Sequence, residues 1–325
     1  MPNRGITSKI NFAFSFIYML FNWNIIGHQK QLRGLEKDIL NNNIAHAYLF
    51  NGPEGIGKAS ITHKMAGILQ CENNYCKNCP ACVQIRKKSH LDTLFIADDE
   101  DSIKIETIRD LIKNLSLSKQ SKYKIILIKN IERLTLDAAN CLLKALEEPN
   151  ANTIFLLTTS NIQNVLNTII SRCRLVKFNA FSEQQLKSEL ENRHENLDKN
   201  RIQLVSSFSM GLPARAISLL EDDALFSNYH EIYQNLQRIL NDDFLYLKFA
   251  FIDKLLKDPS LIKIFLNILL HLLRKDLIDN FYASNSNYEK VSHLIEGIKM
   301  VEKTKHLLKS NVNVRLTLEN LMLIF

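Results

Sequence analysis

The chain has 325 residues, enough for two or three domains. Hydrophobic residues make up 46% and charged residues 23%, a globular composition, and only 9 Gly and 6 Pro argue against long disordered linkers. The net charge of +7 permits contact with nucleic acid without demanding it, because no single basic run dominates. A mildly basic solvated surface and a polyphosphate-facing patch both stay open.

At the N-terminus, Arg4 and Lys9 precede an apolar stretch running to Phe21, a pattern like the n-region and h-region of a secretion signal. The stretch is too short to span a bilayer as a helix, and Asn22-Trp23-Asn24 offers no small-residue cleavage site. Residues 1–24 are read as an N-terminal extension; an upstream start codon is the favoured origin, with Met19 a plausible real start, and whether residues 1–18 belong to the native protein stays open. The rest of the chain reads as cytoplasmic, with no membrane contact.

Ile25 to Asn43 has helical spacing, with Leu32, Leu35 and Leu40 on one side. Ala47 to Phe50 is a short apolar strand, and Ile61 to Gln70 a helix. Four cysteines follow, from Cys71 to Cys82. Leu94-Phe95-Ile96 is a short strand, and Ile105, Ile108, Leu111, Ile112 and Leu115 share a helical face. Lys124 to Ile128 and Ile154 to Thr159 are the continuous apolar runs of strands buried on both faces of a parallel sheet. Between them Leu136 to Glu148 is helical and stops at Pro149. Val165 to Ile170 is a short helix and Leu175 to Phe178 a last strand. Alternating strands and helices give right-handed βαβ units and a three-layer α/β domain.

After Phe181 the strands stop. Ser182 and Gln185 form a capping-box pattern, Leu204 to Met210 ends at Gly211, and Ala214 to Leu220 resumes. From Ala224 to Phe325 every segment has helical spacing. The apolar run Leu261 to Leu273 carries Lys263 and His271, so it reads as a buried helix rather than a span. Ser284 to Asn287 is the clearest loop of this region. Lys119, Lys122 and Lys124 make a basic turn, read as a solvated face.

The stretch around which the chain is organised is Asn51-Gly52-Pro53-Glu54-Gly55-Ile56-Gly57-Lys58-Ala59-Ser60, set between strand and helix. In a phosphate loop the glycines let backbone N–H groups curl round phosphate oxygens, and the helix N-terminus adds partial positive charge. Gly52, Gly55, Gly57 and Lys58 keep that outline, with Lys58 placed to reach the outer phosphates. The pattern ends in a Ser or Thr whose hydroxyl holds Mg²⁺; here that position is Ala59. Ser60 cannot replace it, because one residue along a helix turns a side chain by about 100°.

Cys71-x4-Cys76-x2-Cys79-x2-Cys82 brings four thiols within twelve residues, a spacing that suits tetrahedral zinc. Lys77 would help to hold thiolates deprotonated. Zinc, structural because no ligand position looks open, stands ahead of disulfides or free cysteines. Cys141 lies in an apolar helical pattern and reads as core.

These features, with the run Leu136 to Pro149 and the triplet Ser171-Arg172-Cys173, occur in this order in bacterial clamp-loader ATPases, which residues 25–220 resemble. The family comprises the gamma/tau and delta-prime subunits of DNA polymerase III. The resemblance implies an AAA+ module over 25–180 with the zinc module at 71–82, a helical lid over 181–222, and a helical collar over 223–325 for oligomerisation. It implies gamma/tau and delta subunits as partners, the sliding clamp indirectly, and primer-template DNA through the complex.

By the same resemblance, the strand matching Ile125–Ile128 ends in active ATPases with an Asp that organises Mg²⁺ and a Glu that orients water. Here Lys129-Asn130 stands there; a lysine repels the metal and an amide cannot accept a proton. Glu132, two residues later, reads as a surface residue. Gly211-Leu212-Pro213-Ala214-Arg215 resembles the sensor segment, but Ala214 falls where the phosphate-sensing arginine belongs, and Arg215 is one place off. Ser171-Arg172-Cys173 resembles an intact arginine-finger motif, acting in trans on a neighbour's nucleotide. A subunit that keeps its finger and loses its own site fits the non-hydrolysing delta-prime type. The alternatives are an active gamma-like ATPase with altered metal ligands and a zinc-stabilised nucleic-acid-binding module. Whether ATP or ADP binds stays open: Lys129 could partly replace the metal's charge or fill an empty site.

Overall fold

A computed structural model describes residues 20–96, 102–115, 118–194, 196–241, 244–282, 288–308, 310 and 312–325. Most of the signal-like stretch and the Ser284–Asn287 loop lie outside the described residues. The chain divides into two compact units, one of Met1–Leu197 with Gly211–Arg215, the other of Asp198–Met210 with Ala216–Phe325.

In the first unit, strands β1 (Ala47–Asn51), β2 (Thr93–Ile96), β3 (Lys124–Ile128), β4 (Thr153–Thr159) and β5 (Arg174–Lys177) form one sheet in the order β2-β3-β4-β1-β5. Every neighbouring pair is parallel. All residues of β3 and β4 are buried, as continuous apolar runs require when both faces are covered. The alternation of side chains sorts them into two layers of core. Tyr48, Phe50, Ile125, Leu127, Ile154 and Leu156 face a cluster with helices α1 (Gln29–Leu40) and α2 (Lys58–Gln70). Leu49, Ile126, Ile128, Phe155 and Leu157 pack against the face served by α4 (Ile105–Leu115) and α5 (Leu136–Glu147). Between α2 and β2 lies the short α3 (Pro80–Arg86).

Several expectations shift. The apolar face of α1 holds Leu32 and Leu35, but Leu40, at its last turn, is half exposed. The packed domain begins before residue 25. Phe21 and Trp23 are buried, and Glu36 accepts from the Phe21 N–H and from the Trp23 indole, each at 3.0 Å. Lys124 is not part of a basic turn; it is buried, with its ammonium donating to the Asn114 carbonyl at 2.5 Å, at the C-terminal end of α4. The turn before it is held instead by buried Asp92, which accepts from the Gln120 and Ser121 N–H groups.

A short helix α6 (Asn167–Ile170) precedes β5, and α7 (Glu183–Arg193) follows it. Ser182 and Gln185 form the expected capping box, each side chain accepting from the other's N–H. Then come α8 (Lys199–Ser209) and α9 (Pro213–Glu221). The described remainder of the second unit is helical: α10 (Asp223–Asn241), α11 (Leu245–Lys257), α12 (Pro259–Tyr282), α13 (Tyr288–Leu307) and α14 (Val314–Met322). Its core joins Phe208 of α8 to Phe226, Tyr229 and Tyr233 of α10. The apolar run in α12 is buried through Phe265, Ile268 and Leu269, and among the described residues no helix is long and apolar enough to cross a membrane.

Candidate functional site

The glycine-rich loop runs from β1 to α2 and is shaped by what only glycine tolerates. At Gly52 a Cβ would stand 2.5 Å from the Phe178 carbonyl oxygen, and Gly57 caps α2 at φ +105°. Gly55 is also left-handed, and its carbonyl accepts from the N–H groups of Ala214 and Arg215 at 3.0 and 3.3 Å. The first turn of α9 thus rests on the loop itself. Ala214 presents a methyl group there and no guanidinium.

Lys58 is buried and its ammonium donates to two loop carbonyls, Gly52 at 2.5 Å and Pro53 at 2.9 Å. Burial pulls it down to about 8; Glu132 and Glu54 act in the opposite direction, and Lys129 adds to the depression. Glu132 is therefore no free surface residue. It lies on a short 3₁₀ turn after β3, and its Oε1 accepts from the Ser160 N–H and hydroxyl at 2.9 and 2.5 Å. Its Oε2 is buried without a hydrogen-bond partner among the described residues. Sequence spacing missed this, because the turn folds Glu132 back against the end of β4.

Lys129 and Asn130 leave β3 at its C-terminal end, beside the loop. The Lys129 side chain is exposed, and Asn130 takes a left-handed conformation with its N–H donating to the Thr158 hydroxyl at 3.1 Å. No carboxylate stands at either position. The loop thus keeps its glycines and Lys58, while position 59 offers no hydroxyl and positions 129 and 130 no carboxylate.

Arg172 sits just after α6. It pairs with Glu147 of α5 at 2.6 Å and donates to the Thr168 carbonyl at 2.9 Å and the Ser171 hydroxyl at 3.4 Å. Glu147 belongs to the run Leu136 to Pro149, where the sequence assigned it no part. Burial pushes the neighbouring Cys173 thiol up to about 12.

Cys71, Cys76, Cys79 and Cys82 converge, all four sulfurs lying within 4.8 Å of one another. The Cys71 sulfur is 3.8 Å from that of Cys76 and 3.7 Å from that of Cys79. Those separations are far beyond a disulfide bond. They match the edge of a sulfur tetrahedron about a metal with metal–sulfur bonds of about 2.3 Å, whose edge is about 3.8 Å. Left-handed residues Asn74, Tyr75 and Lys77 fold the turn so that backbone N–H groups aim at sulfur. Cys76, Cys79 and Cys82 N–H donate to Cys71, Cys76 and Cys79 in turn. N–H groups of Asn78 and Cys79 hold the Cys76 thiol down to about 6. Burial alone would raise Cys71, but the N–H groups of Cys76 and Asn73 outweigh it; burial raises Cys82. The Lys77 N–H acts on Cys82 in the lowering direction, against the burial that raises it. The donor set fits a tetrahedral metal.

A five-stranded parallel sheet of this order, with a phosphate loop leading from β1 into α2, defines an AAA+ module. A family profile described as DNA polymerase III, delta subunit, matches residues 27–182. The chain belongs to the DNA polymerase III clamp-loader family of gamma, tau and delta-prime subunits. It is 30% identical to the gamma subunit of Buchnera aphidicola from Acyrthosiphon pisum over 73% of this chain and 68% of that protein. To the delta-prime subunit of Bacillus subtilis it is 27% identical, over 89% of this chain and 92% of the relative. A solved gamma-subunit-related protein of Thermotoga maritima is 22% identical with a TM-score of 0.47, covering 90% of this chain and 98% of that one. The chain spans between 25% and 68% of the gamma and tau relatives, about half of their length.

Proposed function

We propose that the chain is a delta-prime-type subunit of a cytoplasmic DNA polymerase III clamp loader. It hydrolyses no ATP itself and presents Arg172 to the nucleotide of a neighbouring ATPase subunit. The observation that carries this reading is Lys129-Asn130 at the end of β3, beside a phosphate loop whose metal-binding position is Ala59. Full-length likeness to a delta-prime subunit supports it, whereas gamma and tau match over part of their length. In this reading the lid (181–222) and collar (223–325) join the chain to gamma/tau and delta, and the clamp and primer-template DNA are met through the complex. Cys71, Cys76, Cys79 and Cys82 hold one structural zinc.

A guanidinium keeps its charge at any working pH and bonds two phosphate oxygens at once. Such a finger is worth about 10³–10⁵ in rate at the one site it serves. In a reconstituted clamp loader, Arg172→Ala should leave assembly intact and lower DNA-stimulated ATPase and clamp loading partially, because sites served by other subunits continue. Arg172→Lys should rescue poorly, and the chain alone should show no ATP turnover. Wild-type loading by the Arg172→Ala complex, or its falling apart, defeats the finger. The higher identity to gamma subunits favours a second reading, an active ATPase with altered metal ligands. Mg²⁺-dependent turnover by the chain alone, lost in Lys58→Ala, would establish that reading instead.

A further inference from the structure

Beside the start of α2, the ends of β2, β3 and β4 enclose a cavity of about 300 Å³. Its polar lining is Thr62, His63, Lys88, Lys129 and Thr158, and among the described residues no carboxylate contributes to it. In an active P-loop enzyme this is where Mg²⁺ bridges the outer phosphates, held by a hydroxyl from the loop and a strand-end carboxylate. Ala59 lines the cavity without an oxygen to offer, and Lys129 brings a cation. The described lining is thus unfavourable to a divalent metal and complementary to an anion.

The surroundings agree. Lys129 lies close enough to the Lys58 ammonium to act on it, so cationic groups crowd the junction of loop and cavity. Glu132 and Glu54 act on Lys58 from the other side, but neither lines the cavity, and one Glu132 oxygen is already committed to Ser160. The Thr158 oxygen accepts from Asn130, which leaves its hydroxyl hydrogen to donate. His63 binds the Ile85 carbonyl at 3.0 Å, and burial lowers its pKa from the ordinary imidazole value.

We propose that this cavity holds the terminal phosphoryl group of a phosphate chain without a divalent cation. Lys129 and Lys88 take over the charge that Mg²⁺ supplies in an active ATPase. The proposal rests on the loop being a non-hydrolysing nucleotide site. Among the described residues no carboxylate lines the cavity to orient water, so the bound chain stays intact.

Calorimetric titration of the full chain with ATP and with sodium tripolyphosphate, each in EDTA and in Mg²⁺, tests this. Both should bind in EDTA, tripolyphosphate should displace ATP, and Mg²⁺ should not strengthen either. Lys129→Asp should weaken binding in EDTA about tenfold or more and make Mg²⁺ strengthen it, since one charge-assisted contact is lost and a metal ligand restored. Lys88→Ala should weaken binding several-fold. Both side chains are exposed, so unchanged melting temperatures are expected; Lys129→Gln replaces Lys129→Asp should the carboxylate disturb folding. The proposal is overturned by absence of binding in EDTA at millimolar ligand, by binding that requires Mg²⁺, by ATP binding that tripolyphosphate leaves untouched, or by unchanged affinity in the Lys129 variants. None of these outcomes bears on Arg172, which is measured in the assembled complex. Turnover by the chain alone defeats the non-hydrolysing reading separately.

Discussion

Lys58 carries two opposite dependences on pH. Its ammonium titrates near 8 in the folded chain, against an ordinary value of 10.5, chiefly because it is buried. Between those values the folded state binds fewer protons than the unfolded one, so this group's contribution to stability rises with pH across that window. Phosphate binding runs the other way, because only the ammonium attracts an anion. Affinity for tripolyphosphate in EDTA should fall as pH rises through about 8, to about tenfold weaker at pH 9 than at pH 7, as expected of one group titrating near 8. In Lys58→Met the step should vanish and binding at pH 7 should already be weak. A step near 10 instead would mean that the ammonium is exposed, contrary to its hydrogen bonds to Gly52 and Pro53.

At the scale of elements, the cysteine turn ties the end of α2 to the start of α3. Cys71 caps the first helix, and Cys79 caps the second by accepting from the Cys82 N–H. Without a metal, these sulfurs would be held together only by weak hydrogen bonds. Elemental analysis after dialysis should find one zinc per chain. A strong chelator, or Cys79→Ser with Cys82→Ser, should lower stability by about 2–5 kcal/mol, the cost of losing a native cross-link. Unchanged zinc content and melting temperature in that variant would refute the assignment. The strands β3 and β4 were legible in the sequence because a run buried on both faces is uniformly apolar, and the cysteine spacing was legible because the turn is local. Lys124 was not, since a buried lysine is visible only once the helix-end carbonyls that receive it are in place. Lys88 and His63 escaped for the same reason: the cavity they line is assembled from three strand ends and a helix that are distant in sequence. Glu132 was misread because a one-turn 3₁₀ helix has too few residues to show a period.

For the molecule as a whole, the path of the chain matters as much as its elements. It leaves the first unit after Leu197, returns for Gly211–Arg215, and leaves again at Ala216. The returning residues spend the first N–H groups of α9 on the Gly55 carbonyl, although first-turn amides ordinarily have only water to bond. Hydrogen exchange should therefore find the Ala214 and Arg215 amides protected beyond an ordinary helix start. Gly55→Ala, forced to φ +82°, should cost about 1–2 kcal/mol and release those two amides. Amides of α10, in the other unit, should exchange as before. Fast exchange at Ala214 in the unaltered chain would count against the contact. The same path sets an order of events at the ribosome. Domains fold as units from the N-terminus during synthesis, yet the phosphate loop meets its last partner only after residue 215 has emerged. By then all of α8, a piece of the second unit, has already been made. A nascent chain stalled at Met210 would carry all five described strands and still an unfinished glycine loop.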